Sequence, residues 1–119
     1  MLPKQFRLKK KSAFNATYKV KNSSHKGGVT LFVGLLKKDL DTPTRVGFVV
    51  SKKTHKRAVK RNRLKRLMRE SYRLLLKDND IGNANHFMSL IFVGSDKALG
   101  KTFAEMKNIT KKLLEGIKC

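Results

Sequence analysis

The sequence predicts a single α/β domain in which amphipathic helices pack on a sheet, and three observations carry that reading. Three β-rich runs, VTLFVGLL at 29–36, RVGFVVS at 45–51 and FMSLIFV at 87–93, are separated by turn residues. The first and last are apolar on both faces, which requires cover on both sides. Two further segments, from about Arg57 and from about Thr102, repeat apolar residues at helical spacing. A chain of 119 residues buries roughly two thirds of its unfolded surface in one core and leaves no room for a second domain.

Residues 1–11 are basic and aperiodic and read as a flexible arm, with Leu2, Phe6 and Leu8 available to pin it. Ser12 is placed to cap a short helix running to about Tyr18. Phe14 and Tyr18 stand four apart and share a face of that helix. Two readings are open for this pair: core residues, or a platform on which unpaired bases stack beside Lys19 and Lys21. Residues 22–28 read as a turn or weak edge strand ending in Gly27-Gly28.

In the run 29–36, Val29, Leu31, Val33 and Leu35 take one face and Phe32, Gly34 and Leu36 the other. In 45–51, Val46, Phe48 and Val50 oppose Gly47, Val49 and Ser51. From about Arg57 the period changes to that of a helix, with Leu64, Leu67, Met68, Ser71, Tyr72 and Leu75 as its core stripe. A turn at 78–85 leads to the third β-rich run. Thr102, with Glu105 three residues on, forms a capping box for a last helix that packs through Phe103, Met106, Ile109, Thr110, Leu113 and Ile117.

Charge gives the strongest functional signal. Net charge is +21, from 29 basic and 8 acidic residues, and ten of the cations fall between Lys52 and Arg69 without an acid among them. Asn62, Lys65, Arg66, Arg69 and Arg73 project opposite the core stripe as a basic ridge. Lys56, Arg57, Lys60 and Arg61 crowd the start of the helix, where the macrodipole disfavours cations and phosphates would be welcome. A solvated face laced with ion pairs needs acids, and only Glu70 is at hand. A polyanion answers such a surplus by giving up its counterions, so nucleic acid is the expected partner.

Other classes find little support. No apolar run approaches the ~20 residues of a membrane helix, and the N-terminus lacks the apolar core of a secretory signal. The single cysteine, Cys119, makes neither an intrachain disulfide nor a zinc site, which fits a reducing cytoplasm. His25, His55 and His86 lack ligand spacing, the acids form no close pair, and Gly27-Gly28 lacks the lysine of a phosphate loop. Neither a catalytic residue nor a metal site is expected in this chain.

RVGFVVSKK at 45–53, followed by AVKRNRLKRLMRESYR at 58–73 with its Arg61-Asn62-Arg63 centre, resembles the protein component of bacterial ribonuclease P. FRLKKKSAFNATY at 6–18 is similar to that family's N-terminal segment with its spaced aromatics. The resemblance implies an α/β (α+β) domain ordered αβββαβα, a two-layer sandwich. Its topology is that of a ribosomal-protein domain with a left-handed βαβ crossover, against the usual hand. The order read from the residues agrees; the hand comes from the resemblance alone.

The implied activity is that of an accessory subunit, inactive by itself, in the endonucleolytic removal of the 5′ leader from precursor tRNA. Catalysis and its Mg2+ ions would belong to the RNA subunit, with one protein per RNA in a cytoplasmic particle and no role for DNA or membrane. Carried over by residue, Arg57, Lys60, Arg61, Asn62, Arg63, Lys65, Arg66 and Arg69 would contact the RNA subunit. Phe14 and Tyr18 would line the leader cleft, with Lys52 and Lys53 at its edge. Gly34 stands where some members place an aromatic, and Phe32 lies two residues away on the same face. A ribosomal structural protein is the alternative from another class; a protein-only nuclease lacks its carboxylate cluster.

Overall fold

The computed structural model describes residues 2–117; Cys119, on which the expectation of an unpaired thiol rests, lies outside the described residues. The element order is α1 (Lys11–Lys19), β1 (Asn22–Lys26), β2 (Val29–Val33), β3 (Arg45–Val50), α2 (Ala58–Lys77), β4 (Ser89–Gly94) and α3 (Phe103–Glu115). This is the αβββαβα order that the resemblance implies, and the segment 22–28, open between a turn and a weak edge strand, is strand β1. The strands form one sheet in the order β1-β2-β4-β3, with β4 antiparallel to β2 and parallel to β3. α2 thus carries the chain across a βαβ unit whose two strands are neighbours.

α2 and α3 pack side by side against one face of the sheet, and α1 crosses the other. The core lies under the two long helices, where Leu64, Met68, Tyr72 and Leu75 of α2 meet Leu90 and Phe92 of β4. Tyr72, Phe92 and Phe48 form an aromatic cluster there, with Phe48 stacked on Phe92 at 5.6 Å between centroids. α2 can approach this closely because position 94 has no side chain: a Cβ on Gly94 would sit 2.8 Å from Leu64 Cδ2. The predicted stripe of α2 is buried throughout, apart from a half-buried Leu67.

β1 and β2 are joined by Gly27 and Gly28, at φ +59° and +85°, a two-residue hairpin whose left-handed backbone only glycine adopts without strain. α3 starts as predicted: the Thr102 hydroxyl accepts from the Glu105 N–H at 3.2 Å and the Glu105 carboxylate accepts from the Thr102 N–H at 3.0 Å. Phe103, expected in the core, stays on the surface, and Leu114 is buried instead.

Three local expectations are corrected. The segment expected as a flexible arm is laid along β3. Leu2 and Leu8 are buried, Arg7 bridges Val46 in parallel, and the Leu8 N–H donates to the Val46 carbonyl at 2.9 Å. Because that segment ends at the sheet edge, α1 begins at Lys11, with Lys10 at its cap, so Ser12 lies inside the first turn. The run predicted as 29–36 is a regular strand only to Val33, but its pairing continues in the same register, with the Leu35 carbonyl accepting from the Met88 N–H at 2.8 Å and Leu36 bridging Phe87; what is corrected is burial, since Leu35 and Leu36 are 62% and 57% exposed.

Candidate nucleic-acid interface

The face of the sheet that carries α1 can be read row by row from strand register and side-chain alternation. The middle row is Ser23, Phe32, Ile91 and Gly47 on β1, β2, β4 and β3; the next row toward the end of β3 is His25, Thr30, Val93 and Val49. α1 lies over the middle row. Phe14 sits directly on Gly47, where a Cβ would come within 2.5 Å of its ring, and Tyr18 packs edge-on against Phe32 at 4.9 Å between centroids. Between them the Thr17 hydroxyl bonds Ser89 Oγ at 2.6 Å and the Ala13 carbonyl at 2.8 Å. Ile91 is sealed beneath the helix, whereas Thr30, Val93 and Val49 remain half-exposed. The result is a cleft with α1 as one wall and the half-open outer row as its floor.

Phe14 and Tyr18 are both half-buried, so neither open reading describes them alone: each ring packs one part and presents another. Burial raises the pKa of the Tyr18 phenol, which keeps it neutral and able to donate a hydrogen bond. Gly34 is explained by its neighbour, because a side chain there would collide with Ser89 Oγ, already bonded to Thr17. Phe32 is therefore the aromatic that β2 brings to the cleft.

β3 ends at Val50, next to the floor of the cleft, and the chain leaves through an exposed turn bearing Lys52 and Lys53. That turn is fastened to α2. Arg61 Nη1 donates to the carbonyls of His55 at 2.7 Å and Lys56 at 3.0 Å, and the Arg57 N–H donates to His55 Nδ1 at 3.0 Å. Arg61 thus does for the turn what a capping side chain would do for the helix, whose N-cap residue Arg57 makes no side-chain cap bond.

Arg73 of the predicted ridge is engaged as well, by Glu70, but the remaining residues are not. Arg57, Lys60, Asn62, Arg63 and Arg66 are exposed and Lys65 and Arg69 half-exposed, and among the described residues none of them forms a side-chain hydrogen bond or ion pair. Glu70, the one acid on this stretch, pairs with Arg73 at 2.9 Å, and that hydrogen-bonded guanidinium lowers its pKa. Apart from Arg73, the ridge is therefore a row of unneutralised cations on one helix, separate from the aromatic cleft across the sheet. Among the described residues no three His, Cys, Asp or Glu side chains group to hold a metal ion, and no helix is long and apolar enough to cross a membrane.

The structure places Phe14, Tyr18 and Phe32 on one face of the sheet, Phe14 over β3 and Tyr18 against Phe32 of β2, with Lys52 and Lys53 on the turn that follows β3 and the predicted ridge along α2. Site reading from sequence missed Thr30, Val93 and Val49, the cleft floor. Period-two alternation places Val49 beside Gly47, but only the register shows that α1 leaves this row open.

Known proteins support a common origin. A family profile described as Ribonuclease P matches residues 2–118. The ribonuclease P protein component of Clostridium kluyveri is 34% identical over 110 residues, covering 92% of each chain. That of Symbiobacterium thermophilum is 33% identical over 114 residues, covering 96% of this chain and 92% of its own. Among solved structures, the Staphylococcus aureus RNase P protein superposes with a TM-score of 0.72 at 26% identity, covering 93% of this chain and 94% of that one. The Thermotoga maritima RNase P protein shares the fold with a TM-score of 0.76 at 22% identity over 95% of this chain and 98% of its own.

Proposed function

The chain belongs to the ribonuclease P protein family, and from that membership we propose that it is the RNA-binding subunit of a ribonucleoprotein that removes the 5′ leader from precursor tRNA. The observation that carries the proposal is the pairing of two separate surfaces on one rigid domain. The acid-poor ridge of α2 offers cations without internal partners, as docking to a structured RNA requires. The cleft offers half-open rings and a half-exposed floor beside Lys52 and Lys53, which suits a single strand whose bases stack while its phosphates meet lysines.

On this reading Arg57, Lys60, Asn62, Arg63, Lys65, Arg66 and Arg69 contact the RNA subunit, while Phe14, Tyr18, Phe32, Lys52 and Lys53 serve the leader. Any Mg2+ ions would be held by the catalytic RNA and would supply the chemistry there, with one protein joining each RNA in a cytoplasmic particle. The protein's contribution is to bind and orient. Addition of the protein to the RNA subunit is expected to strengthen binding of precursor tRNA more than that of mature tRNA, as measured by equilibrium binding of both. Equal strengthening of the two would sink the cleft assignment, and magnesium-dependent cleavage by the protein alone would sink the division of labour.

A further inference from the structure

A pocket of about 230 Å³ lies at the outer edge of β3, where the N-terminal segment, α1 and α2 meet. Its charged lining is wholly cationic, Arg7, Lys9 and Arg69, and its ring-bearing lining is Phe14 and Phe48, both half-buried. Arg7 is partly spoken for, since its Nε donates to the Leu2 carbonyl at 2.7 Å and so builds the wall. Lys9 and Arg69 remain as the free cations. An acid-free recess that combines rings with cations selects a ligand that is flat on one side and anionic on the other.

The backbone adds a third element. Neighbouring residues of a strand point their backbone groups to opposite edges. The Arg45 N–H donates toward β4, to the Met88 carbonyl at 3.1 Å, whereas the Val46 carbonyl faces outward to Leu8. Phe48 faces outward like Val46. The pairing of the N-terminal segment with this edge ends at the Leu8–Val46 bond, however, and among the described residues Lys9 and Lys10, which lead into α1, make no backbone hydrogen bond to Phe48. Its N–H and C=O stand as a donor and acceptor beside the pocket, the pair of functions that the edge of an unpaired base can satisfy.

We propose that this pocket binds a single unpaired nucleotide, its base against Phe14, Phe48 and the open edge of β3 and its phosphate between Lys9 and Arg69. The inference rests on the reading of the chain as an RNA-binding subunit. It joins the two surfaces, because Arg69 belongs to the ridge and Phe14 to the cleft. The nucleotide therefore comes from the RNA subunit or from the leader, with the same chemistry in either case.

The test is an NMR titration of the full chain with AMP, with inorganic phosphate as control. Saturable shifts of the Lys9, Gly47 and Phe48 amides with AMP, much smaller with phosphate and weakened several-fold by the surface change Lys9→Glu, are expected. Equal shifts with phosphate, shifts confined to Thr30 and Val93, or undiminished binding by Lys9→Glu would overturn the assignment. Hydrogen exchange then finds the source: slowed exchange at Phe48 in complex with the RNA subunit, or only with a leader oligonucleotide, assigns the nucleotide to one or the other. If the RNA subunit binds and neither RNA slows Phe48, the pocket proposal alone falls. If the RNA subunit does not bind the protein at all, the function proposed above falls with it.

Discussion

Arg61 sits at the centre of the most basic stretch of the chain, yet its Nη1 is turned inward to two carbonyls of the 52–57 turn. A lysine would keep the charge, but its ammonium sits on a shorter, more flexible stem than Nη1 and is not held by a planar group in the direction of the two carbonyls. Arg61→Lys is therefore expected to loosen the turn and misplace Lys52 and Lys53, lowering the preference for precursor over mature tRNA. Affinity for the RNA subunit, and its salt dependence, should change little. If Arg61→Lys leaves that preference intact while Arg61→Ala makes the salt dependence shallower, the guanidinium serves RNA directly. Gly47 allows an equally local argument. A side chain there meets the Phe14 ring at 2.5 Å, so Gly47→Val should displace α1 and destabilise the domain by about 1 to 3 kcal/mol, measured by urea denaturation. A stability unchanged from the parent would mean that the ring simply swings aside. Neither detail is legible in the sequence, because composition counts guanidinium groups and glycines without showing what each one faces.

The elements themselves were far more legible, for a physical reason: burial imposes period. The stripe of α2 and the capping box of α3 follow from residue spacing, and both are realised. What spacing could not supply was the cover of each face, which depends on a partner distant in sequence. Leu35 stays paired, its carbonyl bonded to the Met88 N–H, yet its side chain is exposed although its alternation is perfect, because alternation shows a face and not what covers it. The cleft floor was hidden likewise, since only the order β1-β2-β4-β3 sets Thr30, Val93 and Val49 side by side. The capping box also makes a pH prediction. Hydrogen bonds from the Thr102 backbone and side chain hold the Glu105 carboxyl below its usual pKa. A group whose pKa is lowered on folding contributes stability above its unfolded value, about pH 4, and loses it as pH falls through the folded value. Glu105→Gln should therefore flatten the acid limb of the stability curve, and Thr102→Ala should cost about 1 kcal/mol at neutral pH. An acid limb as steep in Glu105→Gln as in the parent would assign it to other carboxylates, Glu70 first.

At the scale of the whole molecule, the charge of +21 makes two salt dependences that run in opposite directions. Repulsion among 29 cations opposes the compact state, and the pairs Glu70–Arg73 and Lys111–Asp80 offset little of it. Added salt screens repulsion and attraction alike, so where repulsion dominates the folded state gains. The Tm of the free protein is therefore expected to rise with salt. Binding to RNA responds the other way, because neutralised phosphates release counterions whose return at high salt competes with the protein. Log affinity for the RNA subunit should fall linearly with log salt, and removal of one exposed cation of the ridge, as in Arg66→Ala, should lower that slope by up to about 0.9 in the duplex limit. The ridge and the fold are thus coupled through one quantity: RNA relieves the same repulsion that salt screens, so RNA should raise Tm most at low salt and least at high salt. Calorimetry of the free protein and of the complex across a salt series measures both trends. A free protein whose Tm falls as salt is added would show that internal ion pairing, not repulsion, governs this surface, and the ridge could then no longer be read as charge held in reserve for a polyanion.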